Sequence, residues 1–260
     1  MPKKQFSKGK IAGLIAIYVI SAVALGVIIA FIVKAIMDNN GGGGSATHNC
    51  PQGLVWDCWT YGPEPDDHTC ECSTPGTEKK PIIYLYPKES TNVSVKLGNP
   101  SKLIVSYPEY SDGWNVLAQP DGTLIDNKTG RELYSLYWEG KDTDYGVTEE
   151  GFMVTSDEAT SFLEEKLALL GLNAKESEEF IIYWLPEMKK HSYNYVRFAT
   201  REEIDSYMPL QITPNPDNVI RVLMVLKGLD APIEINEQNL DSTPARDGFT
   251  VVEWGGTIIK

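Results

Sequence analysis

Hydrophobic and polar residues follow three different patterns along this chain. The first is an unbroken apolar run from Ile11 to Val33, 23 residues without a charge. As a helix it would measure about 34 Å, enough to cross a hydrocarbon core of about 30 Å. The second pattern starts at Pro81, where apolar residues come in short runs. Residues 81–87 (PIIYLYP) are apolar on both faces and predict a buried strand ended by Pro87. Val93, Val95 and Leu97 alternate with polar residues, as do Leu103, Val105 and Tyr107, and both sets predict half-buried strands. Two more strands flank the turn Pro120-Asp121-Gly122, and an aromatic strand is expected over Leu133–Glu139.

The third pattern is helical. Thr155-x-x-Glu158 is a capping box, followed by Ala159, Phe162, Leu163, Lys166, Leu167 and Leu170 at helical spacing and by Gly171 as a stop. Asn173-x-x-Glu176 opens a second helix carrying Phe180, Ile181, Trp184 and Leu185, which Pro186 should bend or end. Strands follow at 193–198, 218–226 and 249–254, the middle one apolar on both faces except at Arg221. The expected fold class is α+β: an antiparallel β-rich domain with two central helices, preceded by a transmembrane helix and a small disulfide knob.

Charge sets the expected orientation. Lys3, Lys4, Lys8 and Lys10 precede the apolar run and no acid does, so the positive-inside rule keeps the N-terminus cytoplasmic. The expected order is then a basic tail (1–10), a signal anchor (11–33), a Gly-rich tether (34–49), a Cys-rich knob (50–72), a linker (73–80) and an extracytoplasmic domain (81–260). A cleaved signal peptide is the alternative, although its apolar region usually spans only about 7–15 residues. The reading is therefore of a single-pass protein of the cell membrane, held there by residues 11–33. Beyond residue 40 the chain holds 18 of the 23 Lys+Arg and 35 of the 36 Asp+Glu, a formal charge of −17. That excess argues against nucleic acid as a partner, which demands a basic face.

All four cysteines, Cys50, Cys58, Cys70 and Cys72, lie within 23 residues. Outside the cytosol an even number in a short, loop-rich stretch predicts two disulfides, with Cys50 and Cys58 each bonded to one of the later pair. His48 and His68 lie nearby and leave a metal site as the alternative, but the spacings are not those of structural zinc. No metal or cofactor is expected.

The phrases KPIIYLYP (80–87), YPEYSDGWNVLAQPDGTL (107–124), YWEG (137–140) and EFIIYWLP (179–186) resemble those of a scattered family of uncharacterised proteins. The resemblance covers roughly residues 80–260 and implies one shared domain that begins near residue 80. That family has no established activity, so the resemblance implies no function.

Candidate chemistry is sparse. The main domain has one histidine, His191, no cysteine and no G-x-S-x-G, which leaves no material for a histidine-assisted nucleophile. Asp142-x-Asp144-x-Gly146 hints at a calcium loop, yet Met153 stands where the closing Glu belongs. Acids gather after the aromatic strand: Glu139, Asp142, Asp144, Glu149 and Glu150. Tyrosine and tryptophan are the richest feature of the domain, and they suit sugar or peptide surfaces. Strand alternation puts Trp138 on the core face and Tyr137 with Glu139 on the other. The reading that follows is a recognition module for a cell-wall, glycan or protein ligand, with Tyr137 and Glu139 lining its surface. A glycosidase using Glu139 with Glu149 or Glu150, or a structural envelope protein, are the alternatives.

Overall fold

The computed structural model describes residues 55–60 and 68–73 as backbone strands, and 76–259 apart from 241, 242 and 244. All of these belong to one compact unit, Cys50–Lys260. The chain begins with β1 (Val55–Thr60), β2 (His68–Ser73), β3 (Gly76–Tyr86) and β4 (Thr91–Leu97). After a 3₁₀ turn at Pro100–Lys102 come β5 (Leu103–Tyr107), β6 (Trp114–Ala118), β7 (Leu124–Asp126), β8 (Glu132–Leu133), β9 (Leu136–Thr143) and β10 (Glu150–Thr155). Two helices follow, α1 (Ala159–Leu169) and α2 (Ala174–Met188), then β11 (Tyr193–Phe198), α3 (Arg201–Tyr207) and β12 (Leu210–Thr213). The last elements are β13 (Asn218–Leu229), β14 (Asn236–Glu237) and β15 (Thr250–Ile258).

Three layers result. The middle one is an eight-stranded sheet in the order β14-β10-β11-β13-β15-β3-β9-β5, and below it lies a five-stranded sheet, β12-β4-β6-β7-β8. Alternation along each central strand feeds two cores. Ile82, Tyr84, Val222, Met224, Val252 and Trp254 point to α1 and α2, which supply Leu163, Leu167, Phe180, Trp184 and Met188. Ile83, Leu85, Val225 and Val251 point the other way, to Val93, Val95, Trp114 and Val116 of the smaller sheet and Ile204 of α3. Each large apolar side chain so enclosed contributes about 1.5–3 kcal/mol.

The architecture is α+β, with differences from the sequence reading. The sheet is mixed, because β13 runs parallel to β15 and β10 parallel to β14. There are three α-helices among the described residues rather than two. The aromatic strand breaks at Tyr134–Ser135, so that β8 joins the small sheet and β9 the large one. Pro186 sits inside α2, which continues to Met188, and the Thr155–Glu158 box closes the turn just before α1 rather than its first turn.

Neither the expected membrane anchor nor the expected disulfides are found among the described residues. Among the described residues no helix is long and apolar enough to cross a membrane. The longest, α2, has 15 residues, about 22 Å of helix against the roughly 30 Å required. The run Ile11–Val33, on which the single-pass membrane location rested, lies outside the described residues. No disulfide is found among the described residues either, against the two predicted for Cys50, Cys58, Cys70 and Cys72. In place of a loop-rich knob, β1 and β2 form a regular antiparallel hairpin in which Cys58 is opposite Cys70 and Trp56 opposite Cys72. Cys50 and the side chains of Cys58, Cys70 and Cys72 lie outside the described residues.

Candidate functional site

The site grows out of an irregularity in β3. Between Glu78 and Ile82 this strand advances four residues while β9 advances three, from Gly140 to Tyr137. Between Lys79 and Ile82 it advances three while β15 advances two, from Gly256 to Trp254. The strand therefore carries one extra residue relative to both neighbours, a bulge centred on Lys80 and Pro81. Gly255 makes room for it, since a Cβ there would lie 3.1 Å from the Pro81 backbone. Lys80 has φ +58°, the sole positive value at a non-glycine among the described residues. That conformation costs about 1–2 kcal/mol.

The bulge takes the Lys80 amide out of the ladder and turns it to Glu139 Oε1, 3.2 Å away. Its ammonium lies 5.2 Å from the Tyr183 ring centroid and 5.7 Å from that of Tyr137, a two-ring cation–π clamp. Burial, and then a hydrogen bond to Glu139, push the Tyr137 hydroxyl well above its usual value of 10.0. Burial, followed by the charges of Glu139 and Glu187, also raises that of Tyr183. Both phenols thus stay protonated hydrogen-bond donors throughout the neutral range.

The clamp is one end of a strip along α2, where Lys175, Glu179, Tyr183 and Glu187 stand at i, i+4 intervals on one side. Tyr84 donates its hydroxyl to Glu179, and its ring lies 6.4 Å from that of Tyr134. Tyr134 is 52 % exposed, with the Lys175 ammonium 4.5 Å over its ring. Phenol rings, lysines and carboxylates thus alternate along a half-open surface between α2 and the β3–β9 pair. Rings of this kind cover the apolar faces of a ligand, while ammonium and carboxylate groups satisfy its hydroxyls.

Of the residues singled out in the sequence, Tyr137 and Glu139 are brought together here, both half-buried, and Trp138 is fully buried on the opposite face. Glu149 and Glu150 are elsewhere. Glu150 begins β10, five strand spacings from β9 in the sheet order, about 24 Å. A glycosidase pair needs its carboxylates within about 5–9.5 Å, so Glu139 has neither as a catalytic partner. His191 lies against Gly228, where a Cβ would come 2.0 Å from its ring. The described residues gather no group of three or more His, Cys, Asp or Glu able to hold a metal ion. Lys80 and Glu179 were missed in the sequence, and Tyr183 was read only as one of the domain's many aromatic residues. The i, i+4 spacing of the helix residues was a usable signal, whereas nothing local marks the bulge except a lysine before a proline.

A second polar cluster is enclosed between the two sheets. Arg221 reaches Glu253 Oε2 through Nε at 2.5 Å and Asp205 through Nη1 at 2.7 Å. Its Nη2 lies 2.5 Å from the same Glu253 oxygen without making a hydrogen bond of its own. Trp138 Nε1 donates to Glu253 Oε1 at 3.0 Å. Glu78, 1 % exposed, joins this group with its Oε2 unpartnered. This cluster organises the core and does not reach the strip.

Comparison with known proteins gives one relative of note. Over 68 residues, 25% of this chain, the sequence is 40% identical to an uncharacterized protein in bglA 3'region from Butyrivibrio fibrisolvens, and the match covers 69% of that protein. The chain belongs to the family of that protein. Its name assigns neither activity nor ligand. No family model matches the chain, and no solved structure matches it.

Proposed function

We propose that this domain is a recognition module that binds a glycan on the strip from Lys80 to Lys175. The observation that carries the reading is Lys80 itself. Its backbone is strained and half-buried, in a strand flanked by β15 and β9, and its ammonium lies over the Tyr137 and Tyr183 rings instead of filling a core. What the strain achieves is to set an ammonium, two phenols and a carboxylate side by side, and strain retained at a β-bulge is characteristic of binding sites. The partly open rings of Tyr137, Tyr183 and Tyr134 offer platforms for the C–H faces of sugar rings, and Glu139 is the acceptor for paired hydroxyls.

Titration of the protein with a panel of soluble oligosaccharides, read by intrinsic fluorescence, tests this. Tyr137→Ala and Glu139→Gln are each expected to weaken binding at least tenfold while leaving the melting temperature within a few degrees. Turnover of a glycan by the wild type that Glu139→Gln abolishes, with binding intact, would replace the module with an enzyme. Binding unchanged in both variants would remove the strip from the function altogether.

A further inference from the structure

On the far side of the helical layer, a hollow of about 430 Å³ opens between β10 and α1 beside β14. Its size falls in the range of small-molecule sites, about 300–1,000 Å³. Phe152 and Phe162 meet edge to face in its wall, with centroids 5.2 Å apart. The Lys166 ammonium rests 5.0 Å over the Phe152 ring. It is 3.0 Å from Glu165 Oε1 and 3.9 Å from Glu237 Oε1, and its side chain is only 15 % exposed. The hollow therefore already contains an ammonium on an aromatic face between two carboxylates, and that ammonium is the chain's own.

We infer that this hollow is a binding site for a small organic ammonium ion with an aromatic or alkyl body. Charge supports this class of ligand. Two carboxylates face one lysine, and Glu158 adds a third on the rim, so an incoming cation is attracted while an anion meets net repulsion. The phenylalanine pair provides apolar contact for the body and a π-face for the cationic head. A neutral apolar molecule would leave the carboxylates as they are and gain only the ring contacts. Lys166 is the internal competitor of such a ligand, because its ammonium holds the same position over Phe152.

Isothermal titration of the full-length protein with phenethylammonium and with its neutral analogue, 2-phenylethanol, tests the inference. Lys166→Met keeps the stem that covers the ring and removes the competing charge. It should bind phenethylammonium at least fivefold more tightly than the wild type does, and prefer it over the alcohol by a similar factor. Adding Glu237→Gln to Lys166→Met should take back most of that gain. Equal affinity for amine and alcohol, no tightening in Lys166→Met, or indifference to Glu237→Gln would each overturn the proposal. Should Lys166→Met melt well below the wild type, Lys166→Gln takes its place under the same criteria. None of these residues belongs to the strip on α2, so the result stands apart from the fate of the glycan reading.

Discussion

Trp138 and Glu139 are neighbours in sequence with opposite tasks, because adjacent strand residues face opposite sides of the sheet. Trp138 is fully buried among the side chains between the sheets, and its indole N–H donates to Glu253. Trp138→Ala removes a large ring and leaves Glu253 without that donor. It should cost about 3–5 kcal/mol in a denaturant or thermal melt. Glu139, half-buried and hydrogen-bonded by the Lys80 amide, has no comparable core role, so Glu139→Gln should cost less than about 1 kcal/mol. A loss near that of Trp138→Ala would mark Glu139 as structural. The division of faces over residues 136–139 was legible in the sequence, since alternation alone assigns it. Tyr134 was not: alternation placed it with Trp138, but the break at Tyr134–Ser135 turns its ring to Tyr84 on the helix side.

At the scale of the element, what positions the site is the mismatch of β3 with its two neighbours. The bulge survives because β15 presents Gly255 and Gly256 beside it. A Cβ on Gly255 would meet the Pro81 and Lys79 backbones at 3.1–3.2 Å, and one on Gly256 would meet Trp184 and the Met224 carbonyl at 2.6 Å. Gly255→Ala presses on backbone rather than on a flexible side chain. It should destabilise by about 1–3 kcal/mol and weaken ligand binding beyond that loss, because the clamp moves with the bulge. Full binding with lowered stability would separate the bulge from the site. Local patterns read the strands over 81–86, 93–97 and 193–198 and both long helices well, since each buries one periodic face. They did not find α3, although Thr200 and Glu203 form a reciprocal capping box there; seven residues carry too little periodicity. Nor did they show β13 beside β15 in parallel, because such pairing is set by a crossover of about twenty residues, beyond the reach of any local pattern.

For the whole molecule, the acid buried between the sheets sets the dependence of stability on pH. Glu78 is enclosed by β9 and β15, and the charged and titratable groups that act on it are Glu253, Arg221 and Lys102. Tyr145, whose hydroxyl is buried without a hydrogen-bond partner, feels its charge in turn. Burial first, and the charge of Glu253 second, raise the Glu78 carboxyl well above 4.5, against the opposing pull of Arg221 and Lys102. The native state therefore keeps a proton on Glu78 that the unfolded chain releases near pH 4.5. Where the native state holds the extra proton, stability falls as pH rises, by at most about 1.4 kcal/mol per pH unit for one group. The contribution of Glu78 is accordingly full below pH 4.5 and is lost as pH climbs toward its folded value. Asp126 acts in the other direction. Hydrogen bonds from Thr129 and the Lys128 amide hold it below 3.8, so its contribution is present above that value and fades in acid. Glu78→Gln removes the proton exchange and keeps the shape. Melts of both proteins from about pH 4 to pH 9 should therefore show the variant gaining on the wild type above pH 4.5 until the folded value of Glu78 is passed. A gap that stays constant over that range would mean that Glu78 is ionised in the native state, held by Arg221, and that the buried cluster is an ordinary ion pair with no proton to lose.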